Sequence, residues 1–469
     1  MKKIILLLLF ISSISGTSQS KWDLQTCISY AINHNISLRQ SALTNEVNKN
    51  NTEQSRAGTL PSLNAGATHV YNFGKTIDRF TNTFADSRVL SQNFFLSTSV
   101  VLWSGLSQYN NIQANEYTYL SGVERLKQQQ NDLSLSVANA YIGVIFSEEI
   151  LKISQNQYSV SAQQLERTTR LVDAGSLAKS VEYDIKAQLA NDLVNVTVAD
   201  NNYQISILTL KQLMNLDSIS NFTIERPVIV LEEAQLLENN VQFIYESSLK
   251  TQPSIKSNEY SILSAESFLR STKGRISPTL SLNGNLATGT SGLDKQATGQ
   301  YQTVAYTLGD VPGFGPLTYN TQQPVYENKP FSAQFKDNVA KSVGFSLNIP
   351  IYNGLQTHTA IQNAKINTLN TRFTQDLTKQ NLYKNIAQAH VNAKAALNKF
   401  MACKFSVEAA TESFKYADQK FNAGVISAID FSTSKNRLYA AESNLLQAKY
   451  DYVFKLKVLD YYQGKPLGF

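Results

Sequence analysis

The sequence predicts a mixed α and β membrane protein with two internal repeats, each a transmembrane β-hairpin plus a long antiparallel α-helical hairpin. Three observations predict this fold class: an internal similarity at a fixed offset, a seven-residue hydrophobic period, and shorter segments that alternate with period two. The length of 469 residues would by itself favour two or three compact domains. The three patterns instead favour two copies of one elongated unit.

The N-terminus has the pattern of a cleaved secretory signal peptide, which we predict at residues 1–20. Lys2 and Lys3 precede the apolar run 4–11, and small residues are frequent from 12 to 20. No later stretch reaches the roughly 18 to 20 apolar residues of a transmembrane helix. We therefore expect an exported chain that enters a membrane through β-strands.

The chain aligns with itself as two similar halves. Residues 103–215 lie over 352–464 at an offset of 249 without a gap, and proline is absent from both stretches. Very long helices can form there, because proline interrupts helix interiors. The predicted domains are repeat 1 at 21–226, a linker at 227–239 and repeat 2 at 240–469.

The second half carries 32 additional residues between 289 and 340. They include the run Val-Pro-Gly-Phe-Gly-Pro at 311–316, whose residue types favour turns. We therefore predict a long loop in this insert.

Apolar residues recur every seven positions in the helical part of each half. Small residues follow three positions later, which lets helices approach closely. The first half has Val137, Val144, Leu151, Tyr158, Leu165 and Val172, and the second half has Ile386, Ala393, Phe400, Val407, Phe414 and Phe421. Glycine readily takes the positive φ that ends a helix, so each hairpin turns at its Ala-Gly pair. The predicted long helices lie at about 104–215 and 354–463.

Four segments that precede these helices alternate with period two and have the length of outer-membrane strands. We predict strands at about 62–74, 93–103, 278–288 and 342–352. An apolar face opposite Asn, Ser and Gly is typical of a strand with lipid on one side and water on the other. Four strands leave two unpaired edges, which hydrocarbon does not tolerate, so several chains must share one barrel. The alternative is a periplasmic coiled-coil structural or adaptor protein without a membrane barrel.

Five motifs occur in order along the chain: Trp22 to Asn35, Leu60-Pro61-Ser62-Leu63, Leu102-Trp103-Ser104-Gly105, Ile349 to Gly354, and Asn422 to Asp430. In these motifs the chain resembles the TolC family of trimeric outer membrane efflux proteins over essentially its whole mature length. The resemblance implies a twelve-stranded barrel from three chains, continued by an α-helical tunnel through the periplasm. It also implies a passive exit duct of a tripartite efflux or type I secretion system, with a periplasmic adaptor (membrane fusion protein) and an inner-membrane pump (RND, ABC or similar) as partners.

The resemblance also implies which residues form the site. Asp430 matches the family's acidic residue at the periplasmic entrance, where three copies would form a ring of negative potential. A second family acidic position is Thr433 here, and Asp184, which aligns with Thr433, is the candidate for the missing charge. Both carboxylates could instead be solvated surface groups. The residues that would contact the adaptor are Ala174, Gly175, Ala423 and Gly424, which also have a plain reading as helix C-caps.

Several other functions are excluded by the sequence. The four histidines have no ligand spacing, and neither a phosphate loop nor a nucleophile elbow occurs, so we predict no enzyme, no cofactor and no metal site. The modest net charge of +6 predicts no nucleic-acid partner. The predicted location is the cell outer membrane, in contact with its lipid and with a periplasmic extension.

Overall fold

The computed structural model describes residues 22–77, 81, 82, 84, 85, 88–216, 222–227 and 240–465. The predicted signal peptide at 1–20 and all but residue 227 of the predicted linker lie outside the described residues. The described chain falls into two compact units, a helical one within 1–48, 118–262 and 370–469, and a second one at 49–117 and 263–369 that holds the strands.

Helices make up most of the described chain. The two longest, Ser107–Asp173 and Gln356–Asn422, have 67 residues each and begin 249 residues apart. Each is followed, after a five-residue turn, by a second helix, Lys179–Met214 or Ala428–Tyr462. The other helices are Leu24–His34, Ile36–Ala57, Val241–Thr251, Pro253–Gly274 and Phe331–Asp337. None of the helices in the described part of the chain combines the length and the hydropathy needed to cross a membrane.

The main core of the helical unit forms around the middle of helix Ser107–Asp173. Val137, Tyr141 and Val144 are fully buried there against Cys27 of helix Leu24–His34 and against Leu210. The Tyr141 hydroxyl donates to the carbonyl oxygen of Trp22 at 3.1 Å. Trp22 and helix Leu24–His34 are therefore held on the first helical hairpin.

The seven-residue pattern marks buried positions. The small residues Ser154, Ser161 and Thr168 are buried on helix Ser107–Asp173, three positions after the large ones. On helix Gln356–Asn422 a smaller core forms around Ile386 and Ala393, together with Ile244, Ile255 and Leu459. Large residues beside small ones thus set the helix packing in both halves.

The strands of the described residues all lie in the second unit. They are β1 Ser62–Asn72, β2 Thr76–Ile77, β3 Phe84–Ala85, β4 Val89–Trp103, β5 Thr279–Ser291, β6 Lys295–Val311, β7 Gly315–Asn328 and β8 Ala340–Asn348. Four of them form an antiparallel sheet with the strand order β1-β4-β5-β8. These four strands lie close to the predicted ones, although β8 ends at Asn348, two residues before Pro350, which has no N–H to donate to a ladder.

The two faces of the sheet differ in polarity. Leu282 and Phe345 lie opposite each other on the apolar face. The same face also carries Leu286 and the residue opposite it, Lys341. On the other face, the Ser99 hydroxyl donates to Oδ1 of Asn283 at 2.8 Å. The register therefore gives neighbouring strands the same apolar face, as the alternation predicted.

The prediction of a long loop between 289 and 340 was wrong. This segment forms the β-hairpin β6–β7 and the helix Phe331–Asp337. Gly313 and Gly315, with φ of +88° and +80°, form the turn of the hairpin. Most side chains of β6 and β7 are exposed, so no apolar alternation marks these strands in the sequence.

Candidate entrance site at the helical turns

The turns that end the two long helices have the same backbone geometry. Gly175 and Gly424 have φ of +73° and +72°, the left-handed conformation that ends many helices. The residue after each glycine donates its N–H to a carbonyl five residues earlier, Ser176 to Leu171 at 2.8 Å and Val425 to Lys420 at 2.9 Å. The predicted tip residues Ala174, Gly175, Ala423 and Gly424 are all exposed.

Asp430 is exposed in the first turn of helix Ala428–Tyr462. Its Oδ2 accepts the Ser427 backbone N–H at 3.3 Å and the Ser427 hydroxyl at 2.8 Å, and its own N–H donates to the Ser427 Oγ at 3.1 Å. This is a capping box, which satisfies two backbone donors at the start of the helix. Thr433, one turn further on, donates its hydroxyl to the carbonyl of Ile429 at 2.8 Å.

Asp184 lies in a cavity of about 350 Å³ between the two turns. Ala423, Gly424 and Ser427 of the second turn line the same cavity, together with Arg167 of the first long helix. The structure thus brings Asp184 and the second turn together, whereas Asp430, Ala174 and Gly175 are not among the residues that line this cavity. The Arg167 guanidinium also donates to Oδ1 of Asn422, which links the two hairpins.

A buried ion pair joins the hairpins deeper in the helical unit. Lys435 is 1% exposed and Asp192 is 2% exposed, and the Lys435 Nζ lies 3.0 Å from Oδ2 of Asp192. The same Nζ donates to the Ser161 hydroxyl and, at 2.9 Å, to the carbonyl of Gln157. Gln188 donates its amide to the other Asp192 oxygen at 2.8 Å. Three helices therefore meet at one charged cluster.

Burial lowers the pKa of Lys435 from its ordinary value, while the hydrogen bond to Asp192 opposes that change. The sequence reasoning missed this pair. The available signal was a lysine four positions after Phe431 on a buried helix face, but its partner is 243 residues away. Spacing in one sequence cannot reveal such a partner.

Within the described ranges, no group of three or more His, Cys, Asp or Glu side chains is placed to hold a metal ion. What the turns present is a set of exposed carboxylates, glycines with positive φ and a small cavity.

Comparisons with known proteins identify the family. The outer membrane protein TolC of Escherichia coli strain K12 is 23% identical over 465 residues, which cover 97% of this chain and 84% of that protein. The Campylobacter jejuni CmeC outer membrane channel has a similar structure, with a TM-score of 0.74 at 14% identity over 94% of this chain and 85% of that one.

The open-state MtrE outer membrane channel of Neisseria gonorrhoeae is also similar, with a TM-score of 0.72 at 17% identity over 94% of this chain and 89% of that one. The family model for outer membrane efflux proteins matches residues 27–216 and 244–464. These matches cover both helical hairpins and most of the strands described above. The chain therefore belongs to the outer membrane efflux protein family and forms an exit duct in the outer membrane.

Proposed function

We propose that three copies of this chain assemble into one duct, a twelve-stranded barrel continued by a helical tunnel. Substrates would pass through it passively, driven by a pump of the inner membrane that a periplasmic adaptor connects to the duct. The number of copies and the two partners are those that the family resemblance implies. Two features of the chain support the assembly independently.

The first feature is the sheet, which is the observation that carries the proposal. Within the described residues, β1 and β8 each pair along one side. Hydrocarbon does not tolerate an open edge, because each unpaired N–H and C=O loses its hydrogen bonds to water. With four strands per copy, β8 of one copy runs antiparallel to β1 of the next, so the ring can close without a parallel pair.

The second feature is the set of apolar side chains on two helices. Helix Gln356–Asn422 exposes Phe373, Leu377, Val391 and Phe405. Helix Lys179–Met214 exposes Val194, Val198, Ile205 and Leu208, which are spaced as one helical face. Large apolar faces of this kind are typical of protein interfaces. Neighbouring copies would cover them in the trimer.

At the entrance, Asp430 would act as one of three symmetry-related carboxylates. It is exposed, and its bonds to Ser427 fix its position at the start of the helix. Such a ring raises the local concentration of cations and thereby selects among permeants. Asp184 is also exposed, and it would add a second carboxylate to each copy where it lines the cavity between the turns. The exposed tips at Ala174, Gly175, Ala423 and Gly424 would contact the adaptor.

The assembly is tested with the full chain purified in detergent and reconstituted into planar bilayers. We expect a trimer by mass measurement, mixed α and β circular dichroism, and single-channel conductance. A monodisperse, water-soluble monomer that gives no conductance would contradict the proposal and favour a periplasmic coiled-coil protein.

The entrance is tested with Asp430→Asn, which removes the charge and keeps an oxygen that can accept from Ser427. We expect the concentration of a trivalent cation that blocks half of the current to rise by about tenfold or more. Ser427→Ala is the matched control, because it removes the cap and keeps the charge. Equal block in wild type and Asp430→Asn would remove Asp430 from this role.

A further inference from the structure

The helix Phe331–Asp337 lies on the apolar face of the sheet, beside the end of β5 that leads into the β6–β7 hairpin. The rings of Phe335 and Phe331 pack on Phe94 of β4, with centroids 5.4 and 6.3 Å apart. The apolar face of this sheet is the one that the barrel would turn toward lipid. The helix therefore lies on the membrane side of the proposed duct.

Polar groups hold the helix on β5. Gln334, which is 4% exposed, accepts the Ser291 N–H at 2.8 Å and donates to the Ser291 carbonyl at 3.1 Å. Thr288 donates its hydroxyl to the carbonyl of Phe335 at 2.6 Å, and Asn338 donates to the carbonyl of Gly289 at 2.8 Å. The helix is thus anchored through its polar atoms. Phe331 and Phe335, which also contact Phe94, are still partly exposed and can make further contacts.

A groove of about 510 Å³ lies beside the helix, on the same face of the sheet. Its lining is apolar apart from Thr288, and it includes Ala67, Leu96, Leu286 and Val339. Leu286 and Val339 are still 41% and 43% exposed, so the groove is open. Its dimensions and lining suit a hydrocarbon chain.

The charges around the groove are positive. Lys341 lies directly opposite Leu286 in the β5–β8 ladder, and Lys336 follows Phe335 on the helix. Asp337, the acidic residue of this helix, is paired with Lys329 at 2.8 Å. Lys336 and Lys341 are exposed, and neither forms a salt bridge within 4.0 Å among the described residues, although the charge of Lys336 acts on the neighbouring Asp337. Two exposed ammonium groups beside an apolar groove match a ligand that joins phosphate to acyl chains.

We propose that this groove binds an acyl chain of a phosphate-bearing lipid of the outer membrane, with Lys336 and Lys341 contacting its phosphate. The inference rests on the proposed function, because it requires the apolar face of the sheet to face lipid. A second copy of the chain would join at the strand edges β1 and β8, whereas the groove crosses the face of β1, β4 and β5. Lipid is therefore the occupant that this position favours.

The test uses the delipidated full chain in detergent, with lipid binding measured by native mass spectrometry. The probes are lipid A, phosphatidylethanolamine and inorganic phosphate. In the double variant Lys336→Gln/Lys341→Gln we expect the Kd for lipid A to rise by about tenfold or more, because each lysine loses a phosphate contact. Ala67→Phe, which fills the groove from β1, should weaken binding of both lipids.

Lys365→Gln is the matched control, because it removes an exposed lysine of the same unit outside the groove. It should bind lipid A like wild type, and inorganic phosphate should not compete. Equal lipid A affinity in wild type and the double lysine variant, or competition by inorganic phosphate, would overturn the inference. If either of these outcomes is found while the wild-type chain forms conducting trimers, the lipid inference is wrong and the proposed function stands. If the wild-type chain gives no conductance, the proposed function itself is wrong.

Discussion

The two long helices, Ser107–Asp173 and Gln356–Asn422, have the same length and end in the same turn, yet they cover their apolar side chains differently. In helix Ser107–Asp173, which is described throughout, the exposed large apolar residues are Tyr109, Val160 and Leu171. In helix Gln356–Asn422 they are Ile366, Leu369, Phe373, Leu377, Tyr383, Val391, Met401, Phe405 and Tyr416. The first long helix finds its core within the chain, whereas the second leaves much of its apolar surface for another chain to cover.

A second difference concerns two lysines that correspond at the offset of 249. Lys186 of the first hairpin is about half exposed and pairs with Glu182 at 2.6 Å on the helix surface. Lys435 of the second hairpin is buried and pairs with Asp192 of the first. The corresponding position therefore forms an ion pair within one helix in the first hairpin and a buried ion pair between the hairpins in the second.

The largest expected effect is that of Asp192→Ala, because it leaves the Lys435 ammonium buried without its carboxylate. Removing one partner of a buried ion pair costs about 3–5 kcal/mol of the free energy of unfolding. Chemical denaturation followed by helical circular dichroism measures this loss.

Lys186→Met is the matched control, since it removes the corresponding exposed lysine and should leave the denaturation midpoint close to that of wild type. The double variant Lys435→Met/Asp192→Leu should recover most of the stability, because neither charge is then buried. If Asp192→Ala denatures at the wild-type midpoint, the pair does not hold the hairpins together.

The same pair predicts how stability depends on pH. Because burial lowers the pKa of Lys435 below 10.5, the unfolded chain binds more protons than the folded one between the two values. The stabilising contribution of Lys435 to the free energy of unfolding is therefore fully present above pH 10.5 and is lost as the pH falls through the lowered pKa. In Asp192→Asn the pKa should fall further, and denaturation midpoints between pH 7 and 11 should show the transition at lower pH.

The next effect is on the proposed trimer, through the apolar surface of helix Gln356–Asn422. Phe405 is 65% exposed in the single chain, and Phe405→Asp should place a charge in the contact with a neighbouring copy. Buried aromatic contacts are worth about 2 kcal/mol or more, so the trimer should dissociate at a concentration about 30-fold higher or more.

Analytical ultracentrifugation in detergent measures the dissociation. Asn156→Asp is the control, because Asn156 holds the corresponding position of the first hairpin and is also exposed. If both variants dissociate at the same concentration, the two long helices do not differ in how their surfaces contact a neighbouring copy.

The smallest effect concerns the caps of the two return helices. Ser427 caps helix Ala428–Tyr462, whereas Ala178 has no side-chain oxygen to cap helix Lys179–Met214. Ser427→Ala should cost about 1 kcal/mol at that helix start, and Ala178→Ser should stabilise the other by a similar amount. Hydrogen exchange of the first-turn amides measures both, and a change of equal sign in the two variants would be inconsistent with the assignment of the caps.

Much of the fold could be predicted because local patterns specify it. The spacing of Val137, Val144 and Ile386 marked positions that are fully buried, and the glycines at 175 and 424 marked the turns. The alternation of Leu280 and Leu282 gave the apolar face of the sheet. The insert was mispredicted because β6 and β7 are exposed on both faces, so their pairing leaves no hydrophobic period.

The sequence by itself determined the two helical hairpins, the strand faces and the family, since each follows from a period, a turn residue or an ordered set of motifs. The tertiary structure decided which of the two similar long helices is covered. It also decided that Lys435 pairs with Asp192, that Asp184 lies beside the second turn, and that helix Phe331–Asp337 packs on the sheet. These contacts join residues far apart in the chain, and the partner of each group depends on how the helices and strands pack, which no local pattern encodes.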